Sequence, residues 1–165
     1  MSSRDPPPRT DKPSIVVHID GACRNNGKLG AQAAYGIYFG PGSSYNTCDV
    51  IPPTIPLTSS RAEIEALVQA RELVSDIAKA DPSIDRVIFV SDSDYLVKSI
   101  NSYMDHWATN GGLTVQGNLV KHFAALKGLH EDFESLADRG ISYDLFQQPR
   151  RLIVDADDLA NKALD

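Results

Sequence analysis

Two short runs of apolar residues constrain this chain more than anything else in it. Ile15, Val16, Val17 and Ile19 run almost unbroken into Asp20-Gly21, and Val87-Ile88-Phe89-Val90 runs into Ser91-Asp92. A strand with one wet face alternates apolar and polar residues, whereas a continuous apolar run marks a strand covered on both faces. Two such strands belong side by side in the middle of a sheet, with helices packed on it. The first is expected to end in a turn at Asp20-Gly21. Alternation predicts a second strand over 34–39 and a third over 44–51, joined by a hairpin connection at Gly40-Pro41-Gly42. Ala66, Leu67, Ala70, Leu73, Val74 and Ile77 make one stripe on a helix over 61–79. A helix from Asp94 to about Tyr103 follows the second buried run, then a loop at Asn110-Gly111-Gly112. A long helix is marked by Leu119, Phe123, Leu126, Phe133 and Leu136. Ile141, Tyr143 and Leu145 alternate as a last strand, and a short helix over 156–164 closes the chain. Three strands, helix, strand, helices, strand, helix is an α/β order with a mixed sheet.

The 165 residues suit one domain, and four prolines within residues 1–13 set that stretch apart as a flexible arm, with the folded domain over 14–165. No apolar run approaches the roughly 20 residues a membrane span needs, and the N-terminus has no apolar signal core. A cytoplasmic or nuclear protein is expected, not a secreted or membrane one. Cys23 and Cys48 are the only cysteines and read as buried thiols in a reducing compartment. Lys and Arg number 16 against 22 Asp and Glu, a net charge of -6 that argues against a general polyanion-binding surface.

Chemistry is expected among acids placed where strands end or helices begin. Asp20 and Asp92 follow the two buried runs, Glu63 falls in the first turn of the long helix, and the last helix carries Asp155, Asp157 and Asp158. Ligand sites of open α/β sheets gather at the carboxyl ends of parallel strands. Carboxylates brought together there need a proton or a cation, and oxygen donors without a Cys or His cluster point to Mg2+ or Mn2+. Each acid alone also fits a local role. Ser60-Arg61-Ala62-Glu63 reads as a capping box, and Asp92 and Asp155 read as helix caps. Ser91-Asp92-Ser93-Asp94 also suits an aspartyl nucleophile for phosphate transfer, which leaves Asp20, Glu63 and Asp157 unexplained.

The strings HIDGACRNNG with AAYGIYFGPG, SSRAEIEAL, VSDSDYLVKSI and DADDLANKAL resemble, in order and spacing, ribonuclease H of type 1, especially its eukaryotic form. The resemblance spans about 14–164. It implies a ribonuclease H-like five-stranded mixed sheet of order 3-2-1-4-5 with helices on both faces. It also implies endonucleolytic hydrolysis of the RNA strand of RNA-DNA hybrids, leaving a 5′ phosphate and a 3′ hydroxyl, with two Mg2+ ions for which Mn2+ substitutes. Carried over by position, the catalytic and metal-binding acids fall on Asp20, Glu63, Asp92 and Asp157. Substrate contacts fall on Gly21, Ala22, Cys23, Asn25, Asn26, Ser59 and Ser60. A monomer with no stable protein partner is implied.

Two departures bear on turnover. The basic, Trp-containing segment of the family's common form keeps Trp107 here, read as packing, but 108–116 has no Lys or Arg. The loop before the last Asp reads Gln147-Gln148-Pro149-Arg150-Arg151-Leu152-Ile153-Val154, without the common His, as in some plant and fungal members. A catalytically weak or inactive nucleic-acid-binding or interaction module of the same fold is therefore the alternative.

Overall fold

The computed structural model describes residues 14–165. The arm expected over residues 1–13 lies outside the described residues. Five strands form one sheet: β1 (Ser14–Arg24), β2 (Gln32–Tyr38), β3 (Thr47–Val50), β4 (Arg86–Ser91) and β5 (Ser142–Gln147). Their order is β3-β2-β1-β4-β5, as expected. The β1–β2 and β2–β3 pairs are antiparallel, and the β1–β4 and β4–β5 pairs are parallel. The two continuous apolar runs are thus neighbours at the centre of the sheet.

β1 corrects one expectation. It does not turn at Asp20-Gly21 but continues to Arg24, because β2 stays paired with it through Cys23↔Ala33 and Arg24↔Gln32. Its parallel partner leaves earlier, the last β1–β4 pair being His18↔Val90. Asp20 lies two residues beyond His18, and Asp92 lies two residues beyond Val90. Both acids therefore stand at the point where the two central strands part.

Helices cover both faces. Asp20 pairs with Gly36 and Gly21 with Tyr35, so the two glycines face opposite ways. A Cβ on Gly21 would lie 2.6 Å from the backbone nitrogen of Glu63 in α1 (Ser59–Ala80), and one on Gly36 would lie 2.6 Å from that of Ala160 in α5 (Val154–Leu164). Each glycine lets one helix rest directly on strand backbone. Between the sheet and α1 lies the main core, with Val17, Ile19, Ile37, Ile64, Leu67 and Phe89 fully buried.

Elsewhere packing moves boundaries that pattern alone suggests. The helix predicted to end near Tyr103 is α2 (Asp94–Lys98), which runs through a π-helical turn (Ser99–Tyr103) into α3 (Met104–Asn110), and it stops only at left-handed Gly111. Leu119, expected in the long helix, instead bridges Leu113 in an exposed hairpin, and α4 starts at Phe123 (Phe123–Asp138). Cys23 and Cys48 are free thiols but half-buried, not buried, since β3 is the edge strand and Cys23 lies near the end of β1. Trp107 packs on the core beside Tyr103, as its sequence context suggests. No helix of the described residues is long and apolar enough to cross a membrane.

Candidate active site

Asp20, at the parting of β1 and β4, is fully buried, and Glu63 is 8% exposed. Glu63 sits in the second turn of α1, since that helix starts at Ser59 and not at Arg61. The close approach at Gly21 brings this turn onto β1, and the carboxyl oxygens of Asp20, Glu63 and Asp92 lie within 4.8 Å of one another. Asp157 joins from the first turn of α5, near enough for its carboxyl to raise the proton affinity of Asp20. Four elements thus deliver four acids to one place.

The capping roles suggested for Glu63, Asp92 and Asp155 fall to other residues or to none. Thr58 caps α1, its hydroxyl accepting from Arg61 N at 3.3 Å, so Ser60 and Glu63 form no capping box there. Ser93, not Asp92, caps α2 by accepting from Leu96 N at 3.1 Å. No side chain caps α5, which leaves Asp155 an ordinary first-turn acid.

The electrostatics follow from burial and crowding. The Asp20 carboxyl is pushed up to about 8, first by burial, then by the hydrogen bond with Asp157 and the charge of Asp92. Glu63 is pushed well above the usual carboxylate range, first by burial and then by the charges of Asp20 and Asp92. Gly21 N donates to Asp20 Oδ1 at 3.0 Å, and the same backbone group, facing Glu63, opposes the Glu63 shift. Asp20 Oδ2 and Glu63 Oε2 are buried with no protein N–H or hydroxyl to receive. Bonds among carboxyls exist only while one of them holds a proton. Buried oxygens without donors cost about 1 to 3 kcal/mol each, more when charged, and a divalent cation removes that cost. An all-oxygen acidic set fits Mg2+ or Mn2+.

Gly21, Ala22, Cys23 and Ser59 line a cleft of about 260 Å3 together with Arg24, Glu63, Arg150, Asp157 and Asn161. Asn25, Asn26 and Ser60 are not among its lining residues. Asn25 takes a left-handed conformation (φ 56°) and receives Lys28 N at 2.9 Å, closing the turn after β1. Asn26 Oδ1 receives Ser59 N at 3.2 Å, tying that loop to the start of α1. Ser60 Oγ lies 3.5 Å from His122 Nε2.

Sequence reasoning passed over Arg150. Its Nε donates to Asp92 Oδ2 at 3.0 Å from the 3-10 turn before α5, Arg150–Leu152. The sequence carries a signal for it: four converging acids call for a cation, and Arg150-Arg151 precedes the last of them.

The chain matches the sequence profile of the RNase H family over residues 12–139. It is 32% identical to Ribonuclease H1 of Homo sapiens over 123 residues, 73% of this chain and 41% of that protein. It is 35% identical to Ribonuclease H1 of Rattus norvegicus over 107 residues, 65% of this chain and 35% of the relative. The chain therefore spans less than half the length of these relatives. Among solved structures, RNase H1 from Halobacterium salinarum superposes with a TM-score of 0.60 at 24% identity, covering 93% of this chain and 98% of that one. LC11-RNase H1 in complex with RNA/DNA hybrid gives 0.58 at 22% identity, covering 92% and 96%. These likenesses carry the fold, and the profile and sequence matches carry the kinship: this chain belongs to the ribonuclease H family.

Proposed function

We propose that the chain is a divalent-metal-dependent endoribonuclease that hydrolyses the RNA strand of RNA-DNA hybrids, leaving a 5′ phosphate and a 3′ hydroxyl. The observation that carries this reading is the convergence of Asp20, Glu63 and Asp92 with two buried oxygens lacking donors, in a chain of the ribonuclease H family. Asp20, Glu63, Asp92 and Asp157 would hold two Mg2+ ions, with Mn2+ able to substitute. Cations held there supply the charge that lowers the pKa of an attacking water and offsets charge on the phosphate and the leaving oxygen. The protein's own part is placement. Asp20, on the rigid central strand, anchors the set, and Glu63 faces the 2′-hydroxyl that separates RNA from DNA. The cleft-lining backbone at 21–23 and Ser59 receive the hybrid, with Asn25, Asn26 and Ser60 at its margin. Arg150 offers a cation beside Asp92 for a phosphate oxygen. We infer a monomer, on the single self-contained sheet, and a reducing cytoplasmic or nuclear setting, on two free thiols.

The test is a panel of matched RNA-DNA, RNA-RNA and DNA-DNA duplexes with Mg2+ or Mn2+. Cutting confined to the RNA of the hybrid is expected. Binding without cutting would favour a non-catalytic module, to which the uncharged segment at 108–116 and the net charge of -6 lend support. Equal cutting of all three duplexes would overturn hybrid specificity.

A further inference from the structure

We propose that Asn161 is a positioning residue: its side-chain amide orients the Asp157 carboxylate and thereby sets the affinity of the acid set for divalent cations. The consequence for cleavage rests on the ribonuclease reading; the consequence for metal binding rests only on Asp157 joining Asp20, Glu63 and Asp92 in holding the cation.

Of the four acids, Asp157 depends most on a single neighbouring side chain for its direction. Asp20 sits on the central strand, Glu63 is pressed against β1 at Gly21, and Asp92 is paired with Arg150. Asp157 stands in the first turn of an eleven-residue helix whose start no side chain caps. One turn on, Asn161 Nδ2 donates both to the Asp157 carbonyl oxygen at 3.0 Å and to Asp157 Oδ1 at 3.2 Å. A primary amide has two hydrogens, so one nitrogen holds the main chain and the carboxylate of the same residue. That bracket fixes the direction of the carboxylate and leaves its second oxygen for the interior of the site. Asn161 itself lines the cleft beside Glu63 and Asp157.

The bracket is in turn anchored to the strand that carries Asp20. Arg24 ends β1, and its guanidinium donates to the carbonyls of Leu164 at 3.1 Å and Asn161 at 3.5 Å, and to the Asp165 carboxylate at 2.6 Å. A continuous path therefore runs from Asp20 along β1 through Arg24 and Asn161 to Asp157. The donor is neutral, so it orients an acid without competing with a metal for it. An asparagine inside a helix is otherwise a poor choice, since alanine has the better propensity.

The experiment titrates the full chain with Mn2+ alone, without nucleic acid, following bound metal by calorimetry and electron paramagnetic resonance. Wild type, Asn161→Ala and Asn161→Gln are compared. Partners that orient metal ligands change metal affinity by about 10 to 100-fold when removed. Asn161→Ala is expected to weaken Mn2+ by that factor, while its melting temperature in EDTA shifts by no more than ~2 °C. Asn161→Gln, which still carries an amide, recovers part of the affinity. In hybrid cleavage, Asn161→Ala regains activity as Mn2+ is raised. Mn2+ affinity within about twofold of wild type in Asn161→Ala, or no advantage of Gln over Ala, overturns the proposal. Asn161-dependent Mn2+ binding in a wild type that leaves hybrids intact supports it and removes the ribonuclease reading instead.

Discussion

Asp20 combines full burial with a carboxyl pushed up to about 8, and the pH dependence of stability follows from that shift. Between its ordinary value of 3.8 and about 8, the folded chain holds a proton that the unfolded chain has lost. The folded state binds more protons, so stability in EDTA falls as pH rises through this window, by up to about 1.4 kcal/mol per unit. Glu63 shifts in the same direction and adds to the slope. Asp20→Asn removes the Asp20 share: its melting temperature in EDTA is expected to exceed that of wild type at pH 7, with a smaller gap near pH 4. Calorimetric melting across that range checks it, and a gap that stays constant or reverses contradicts it. Arg150 gives the opposite balance. Its ion pair with Asp92 is 64% exposed on the arginine side, so Arg150→Gln should cost no more than about 1 kcal/mol. The same change removes the cation nearest the acids, so thermal stabilisation by Mg2+ should start at lower concentration. An unchanged Mg2+ midpoint would show that Arg150 does not compete at the site.

The central elements were legible because their pattern and their environment agree. Strands covered on both faces must be apolar throughout, and both runs name β1 and β4 and predict their adjacency. The boundaries were less legible because neighbours set them. Asp20-Gly21 has turn chemistry, yet β2 keeps β1 extended to Arg24. Leu119 fits a helical stripe, but the bridge to Leu113 takes it. Of the site, the acids were legible by their places after strands and in recognisable strings, whereas Arg150 and Asn161 act through contacts whose partners are not marked in the sequence. Gly36 tests how elements place acids. Gly36→Ala would drive a methyl against the Ala160 backbone, displacing α5 and Asp157 from Asp20. A loss of about 1 to 3 kcal/mol is expected, with weakened Mg2+ stabilisation. Retention of both would mean that α5 has slack in its seat.

At the scale of the whole molecule the chain carries a net charge of -6, and 108–116 holds no Lys or Arg. Hybrid binding should therefore be weak, neutralising few phosphates. With two phosphates contacted, it should fall by about tenfold between roughly 50 and 200 mM salt. The hairpin offers a place to alter this, since Val115 is wholly exposed. Val115→Lys with Gln116→Lys should strengthen binding at low salt and steepen its salt dependence, measured by fluorescence anisotropy. Unchanged binding would show that the hairpin stays clear of the hybrid.

If four acids delivered by four elements form one metal-dependent site acting on a hybrid, cutting requires both the metal and Asp20. Cleavage of a hybrid labelled separately on each strand, followed as Mg2+ is titrated into wild type and Asp20→Asn, tests it most directly. Mg2+-dependent fragments from the RNA label alone are expected in wild type, with 5′ phosphate ends, and none from Asp20→Asn, which should still bind the hybrid. Fragments from the DNA label, cutting that persists in EDTA, or full activity in Asp20→Asn would contradict it.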